Sequence, residues 1–196
     1  MRLLNRAKFL WAVAALALSA CIPDSINPLG DPASAVPDAR LLGRWVGTMN
    51  EQWATLAVTA GEGAALCFRV ETTDQEGKTE WVVLDGFPAV ANKQTYMNVK
   101  FREEADKVYD PVAENYYILR YAVSKDSAAL DVWAMAEVMV VDAIADGRVN
   151  GMADPAGAVR NAHITDSTVA VRVFVENSNP ERVFGEKLAS FRRAAD

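Results

Sequence analysis

Three side chains in this 196-residue sequence have the reactivity to attract chemistry: the thiols of Cys21 and Cys67 and the imidazole of His163. Cys21 ends the apolar stretch "LALSAC", and a thiol at that point can become a thioether, which serine cannot. Cys67 sits in "ALCFRVET", either facing outward or filling a small apolar gap. His163 is the only histidine, so a metal site would have to be completed by acids, and Asp166 at i+3 is the one candidate nearby in sequence. A histidine at a surface turn is the simpler reading. No Gly-x-Ser-x-Gly elbow and no glycine-rich phosphate loop accompany it. Glu103 and Glu104 place two carboxylates side by side, but neighbours on a strand point to opposite faces, which suits solvated acids better than a working pair. No catalytic residues and no metal ligands are assigned.

The segment that must position Cys21 is more telling. Met1, Arg2, Arg6 and Lys8 form a cationic start, and Phe9 to Leu18 is almost wholly apolar before Ser19, Ala20 and Cys21. This is the layout of an export leader, expected over residues 1–20. The apolar run is about half the roughly 20 residues needed to span the hydrocarbon of a bilayer, and Pro23 and Asp24 follow at once.

Leu18-Ser19-Ala20-Cys21 resembles the lipobox of bacterial lipoproteins. The resemblance implies cleavage before Cys21, a thioether-linked diacylglycerol on its sulfur and an N-acyl chain on its new amino group. Small Ser19 and Ala20 would admit the peptidase, and Leu18 would fill an apolar subsite. Several acyl chains exceed the two-signal threshold for stable anchoring, each buried methylene contributing about 0.8 kcal/mol. Ile22, rather than aspartate, follows the cysteine, which in Gram-negative members of this family implies the periplasmic face of the outer membrane. Other cofactors are not expected. With Cys21 acylated, Cys67 has no disulfide partner in the chain.

Removal of residues 1–20 leaves 17 basic and 26 acidic side chains, a formal net charge of −9. That surface repels phosphates, so nucleic acid and anionic headgroups are discounted as partners. Residues 21–40 carry the lipidated terminus and a proline-rich stretch, expected to be a flexible linker holding the domain roughly 25 Å from the anchor. An ordered strap along the domain is the alternative.

Residues 41–196 read as one β-rich domain, enough chain to bury roughly 70% of its unfolded surface. Alternating apolar runs predict strands at 41–48, 55–60, 65–72, 80–87, 95–101, 116–123 and 129–134, joined by short links as an antiparallel meander or barrel. In the third, Leu66, Phe68 and Val70 share one face. Met135, Val138, Val141 and Ala145 recur at helical spacing before Gly147, predicting a helix over 135–146. Residues 165–178 fit a helix, from the Thr165-Asp166-Ser167 cap signal, or a strand, from the alternating valines; the helix is favoured. "VFGEKLASFRR" supplies a last strand, making the fold mainly β (α+β) with one or two helices in its C-terminal half.

Gly43-Arg44-Trp45 on the first strand resembles the G-x-W signature of lipocalins and lipocalin-like domains. The resemblance implies that Arg192, or its neighbour Arg193, packs across Trp45 and closes one end of a barrel. Trp81 and Trp133 are then the expected lining of an apolar pocket.

Three roles are consistent with these features. The first is a tethered binding module for an apolar small molecule or an envelope protein; the second is a structural accessory of the envelope; the third is an envelope hydrolase. Cys21→Ser should abolish acylation and release the domain from membranes, read as the loss of acyl mass in intact-protein mass spectrometry and a shift to the soluble fraction.

Overall fold

The computed structural model describes residues 22–105, 107–153 and 162–195, so the expectations placed on Leu18, Ser19, Ala20 and Cys21 lie outside the described residues. In chain order the strands are β1 (Asp24–Ser25), β2 (Gly43–Met49), β3 (Gln52–Ala60), β4 (Leu66–Thr73), β5 (Thr79–Ala91) and β6 (Gln94–Glu104). They continue with β7 (Lys107–Val108), β8 (Tyr116–Val123), β9 (Ala129–Ala134), β10 (Gly151–Ala153), β11 (Ala162–Ile164) and β12 (Glu186–Arg193). Among the described residues three helices, α1 (Glu137–Ala145), α2 (Thr168–Asn177) and α3 (Pro180–Val183), lie between β9 and β12.

Eight of these strands form an antiparallel barrel of lipocalin-like character: β2 through β6, then β8, β9 and β12. The wall closes where β12 pairs with β2 and β6 with β8. Two of its turns are the two-residue loops Asn50-Glu51 and Asn92-Lys93, with φ between 47° and 65° at all four positions. Positive φ at both central residues is the I′ geometry that matches strand twist, and asparagine tolerates it. At the closing seam Gly47 lies opposite Phe191, and a Cβ on Gly47 would come within 2.0 Å of the Ser190 carbonyl oxygen.

Alternation along the wall sends side chains into two cores. The barrel interior takes Leu56, Phe68, Val70, Met97, Leu130 and Phe191, among others. A second core lies outside the wall, where Tyr96, Ile118 and Ala91 meet Leu29 and the buried faces of the helices. Thus Met97 and Val99 of β6 face inward while Tyr96 and Asn98 face the second core. Tyr96 stacks on Phe184 with ring centroids 5.1 Å apart.

The helices form for legible reasons. Ser167 caps α2, its Oγ accepting from the Ala170 N–H. Gly147, at φ 68°, ends α1: the Arg148 N–H reaches the Ala143 carbonyl and the Gly147 N–H that of Ile144, satisfying two orphan carbonyls. The buried face of α1 is Val140, Val141 and Ala143, which corrects the expected stripe: Val138 and Ala145 are exposed. The spacing is helical, but the face that packs against β10, β11 and α3 is rotated from it.

Residues 22–41 are the ordered strap, not the flexible coil. Asp24–Ser25 pairs antiparallel with β8 on one side and parallel with β11 on the other. Leu29 is fully buried, and its N–H donates 2.7 Å to Oδ1 of the fully buried Asn98, whose Nδ2 donates to the Phe87 carbonyl. One of the prolines that read as linker serves instead as a helix start, Pro32 opening the 3-10 turn Pro32–Ser34 after Asp31.

Asn98→Leu should therefore lower stability by about 1–3 kcal/mol, by leaving the Leu29 N–H buried without a partner. Urea unfolding would show a lower midpoint, and amide exchange would rise first in residues 24–30.

Candidate functional site

One barrel end is shut by a single cation. Trp45 is fully buried on β2, and its Nε1 donates 2.8 Å to the Leu41 carbonyl in the 3-10 turn Ala39–Leu41. The Arg193 guanidinium lies 4.2 Å from the Trp45 ring centroid. Its Nε, Nη1 and Nη2 donate to the carbonyls of Ser127, Leu42 and Arg40 at 2.8, 2.8 and 2.5 Å. A planar fork that stacks on an indole and satisfies three carbonyls at once is beyond a lysine. Gly43 permits the approach: φ is 117°, and a Cβ there would lie 2.9 Å from Nη1 of Arg193. The expectation naming Arg192 is corrected to Arg193. Strand alternation puts Arg192, opposite Val46, into solvent, and Arg193, opposite Trp45, over the ring.

Beside this clamp, Leu41 plugs the barrel and Asp38 ties the plug down. Asp38 accepts from Arg40 and, at 3.1 Å, from the Tyr121 hydroxyl. Arg40 holds the Asp38 carboxyl below the usual range, and burial pushes the Tyr121 phenol up.

Above the plug lies a cavity of about 100 Å³ lined by apolar side chains, Leu41, Leu56, Phe68, Met97 and Phe191 among them, together with Tyr121. Neither Trp81 nor Trp133 lines it, which corrects that expectation. Val82 and Leu84 hold the inward positions of β5, so Trp81 turns outward, where the Arg69 guanidinium lies 4.5 Å from its ring. Likewise Leu130 and Val132 face inward on β9, and Trp133 sits outside between Arg120 at 4.3 Å and Lys187 at 5.4 Å. The pocket is built mostly from aliphatic and methionine side chains, with Phe68, Phe191 and Tyr121 among them, and none carries a distinctive sequence signal.

The opposite end, the mouth, is marked by one row of residues that runs across the sheet. Met152, His163, Asp24, Tyr117 and Val99 lie directly opposite one another on β10, β11, β1, β8 and β6. Paired residues share a face, and Val99 lines the cavity, so the row leads from the outer edge of the small sheet to the cavity wall. His163 Nδ1 is hydrogen-bonded to Asp24 Oδ1. Asp166 is engaged elsewhere, its Oδ2 accepting from the Asn150 N–H at 2.6 Å and its Oδ1 from Asn150 Nδ2 at 3.0 Å. The acid partner of the histidine thus comes from the strap 139 residues away, which sequence proximity could not reveal. Among the described residues no group of three or more histidine, cysteine or acidic side chains is placed to hold a metal ion.

Burial pushes the Tyr117 phenol up to about 12, with the Asp24 and Glu114 carboxylates adding to it, so it is a neutral donor at ordinary pH. Phe101 packs edge-on against Tyr117 at 5.4 Å and tilts against Tyr109 at 5.4 Å. Of the paired acids, Glu104 accepts from the Tyr109 hydroxyl at 2.6 Å, while Glu103 lies 3.7 Å from Arg102 Nε. Cys67 is half-buried on β4, on the face opposite Leu66, Phe68 and Val70.

Arg193→Lys should cost about 2 kcal/mol or more, since charged hydrogen bonds and a stacked cation are lost together. Arg192→Lys should stay within about 0.5 kcal/mol of the parent, as exposed substitutions do. Parallel thermal and urea unfolding of the two variants checks the assignment. Comparison of the chain with known protein families, with curated proteins and with solved structures finds no match.

Proposed function

We propose that this chain is a bacterial envelope lipoprotein, acylated on Cys21 and held on the periplasmic face of the outer membrane, whose barrel binds an apolar small molecule. The observation that carries the binding reading is the cavity of about 100 Å³, bounded by apolar side chains and plugged at one end by Leu41. Cavities lined in this way accept apolar guests; an engineered one of about 150 Å³ takes benzene or xenon. The volume limits the guest to a small molecule or one short chain. Pockets for drug-sized ligands run to roughly 300–1,000 Å³. Leader, lipobox and acidic surface support the tethered, non-nucleic-acid reading. The single His163–Asp24 contact falls short of a hydrolase constellation, which would also need a nucleophile and an oxyanion site.

Two measurements test the binding reading. Lipid extraction of natively purified protein should yield a copurifying apolar compound, and saturating benzene should raise the melting temperature of the emptied protein by mass action. Ala189, which lines the cavity, is the position to fill: Ala189→Leu should abolish the benzene shift. An empty extract together with a benzene shift that survives Ala189→Leu would remove the interior as a binding site.

A further inference from the structure

The strap changes where an acylated Cys21 would put the barrel. Asp24 already lies in the mouth row, paired on both sides and bonded to His163, and three residues of chain reach at most about 10 Å. The strap cannot lengthen this tether. Ser25 is fully buried between β8 and β11, the Ile26 N–H donates 3.0 Å to the Ile164 carbonyl, and Leu29 is held by Asn98. We propose that the mouth of the barrel rests directly on the surface of the bilayer, with Ile26, Met152 and Val112 seated among the lipids around the anchor. The inference rests on the reading of Cys21 as acylated.

Surface chemistry at this end fits the occupant. Ile26 is 45% exposed, Met152 63%, Val108 77% and Val112 89%. Met152 belongs to the mouth row, and Val112 lies in the connection to β8, where Lys100 donates to the Pro111 carbonyl while lying 4.2 Å over the Tyr116 ring, opposite Ser25. Apolar side chains shown to water around a lipid attachment point gain by entering the headgroup and acyl boundary. Charges beside them are mixed, with Lys100 and Lys107 interspersed among Asp24, Glu104, Asp110 and Glu114. That composition suits a zwitterionic surface and gives no preference for an anionic one. A guest of the barrel would then pass between membrane and cavity with little exposure to water.

The test uses acylated full-length protein carrying Cys67→Ala and one added thiol, Met152→Cys, Val112→Cys or Lys125→Cys, labelled with an environment-sensitive dye. Lys125 lies beyond the far end of β8, about 25 Å along the strand from Tyr117. In phosphatidylcholine vesicles containing spin-labelled lipid, dyes at 152 and 112 should lose half or more of their emission while the dye at 125 keeps its own. Inserting twelve Gly/Ser residues between Ile22 and Pro23 adds a span of about 20 Å and should abolish the quenching with the protein still vesicle-bound. Acylated, bound protein in which all three positions stay equally bright would overturn the mouth-down arrangement and leave the anchor intact. Purified protein with an unmodified Cys21 would instead remove the reading beneath it, and the arrangement with it.

Discussion

The contact on which this structure depends is the guanidinium of Arg193 over the indole of Trp45. It joins the last barrel strand to the first, and it reaches carbonyls in the plug and in the β8–β9 turn as well. Barrel closure removes the unpaired edges that an eight-strand sheet would otherwise offer to other chains. Two of the three carbonyls, those of Ser127 and Leu42, are part-buried, so stacking, hydrogen bonding and closure are satisfied by one side chain. Gly43 and Gly47 are the backbone concessions that make the approach possible, one by its φ and the other by the missing Cβ.

The wall formed by β6 and β8 is shared by two cores. Met97, Val99, Leu119 and Tyr121 belong to the interior, while Tyr96, Asn98 and Ile118 belong to the layer beneath the helices and strap. A strand with both faces buried is held from both sides, which is why polar Asn98 is tolerated there only with its amide fully engaged. The exposed wall of β3 and β4 contrasts with it, carrying Trp53, Thr59 and Arg69 to solvent.

Much of the fold was legible in the sequence because strands with one face buried alternate. All seven expected strands form, as do the last strand, the helix ended by Gly147 and the one capped by Ser167. The site was less legible, because a tryptophan or arginine signals by its type and not by its phase along the strand. Trp81, Trp133 and Arg192 each stand one residue away from the inward positions, and a period of two turns such a step into the opposite face. β1, β10 and β11 are two or three residues long, too short for any periodicity, and they form only because each finds an edge to pair with. Prolines in the strap masked its order: the composition is that of a linker, but Leu29 and Ser25 are buried by tertiary contacts that no local pattern encodes. Asp24 could not be matched to His163 for the same reason.

The pairing of residues near the start of the domain with residues near its end has a kinetic side. Trp45 meets Arg193 across the closing seam, and Asp24 meets His163 through the strap. Such long-range pairings require large loops to close before any contact rewards them, so folding is expected to be slow for a domain of this size. Until the final strand arrives, β2 and β9 present bare hydrogen-bonding edges together with an open apolar interior. A nascent chain in that condition is vulnerable to self-association, and completion of the polypeptide becomes the step that ends its exposure.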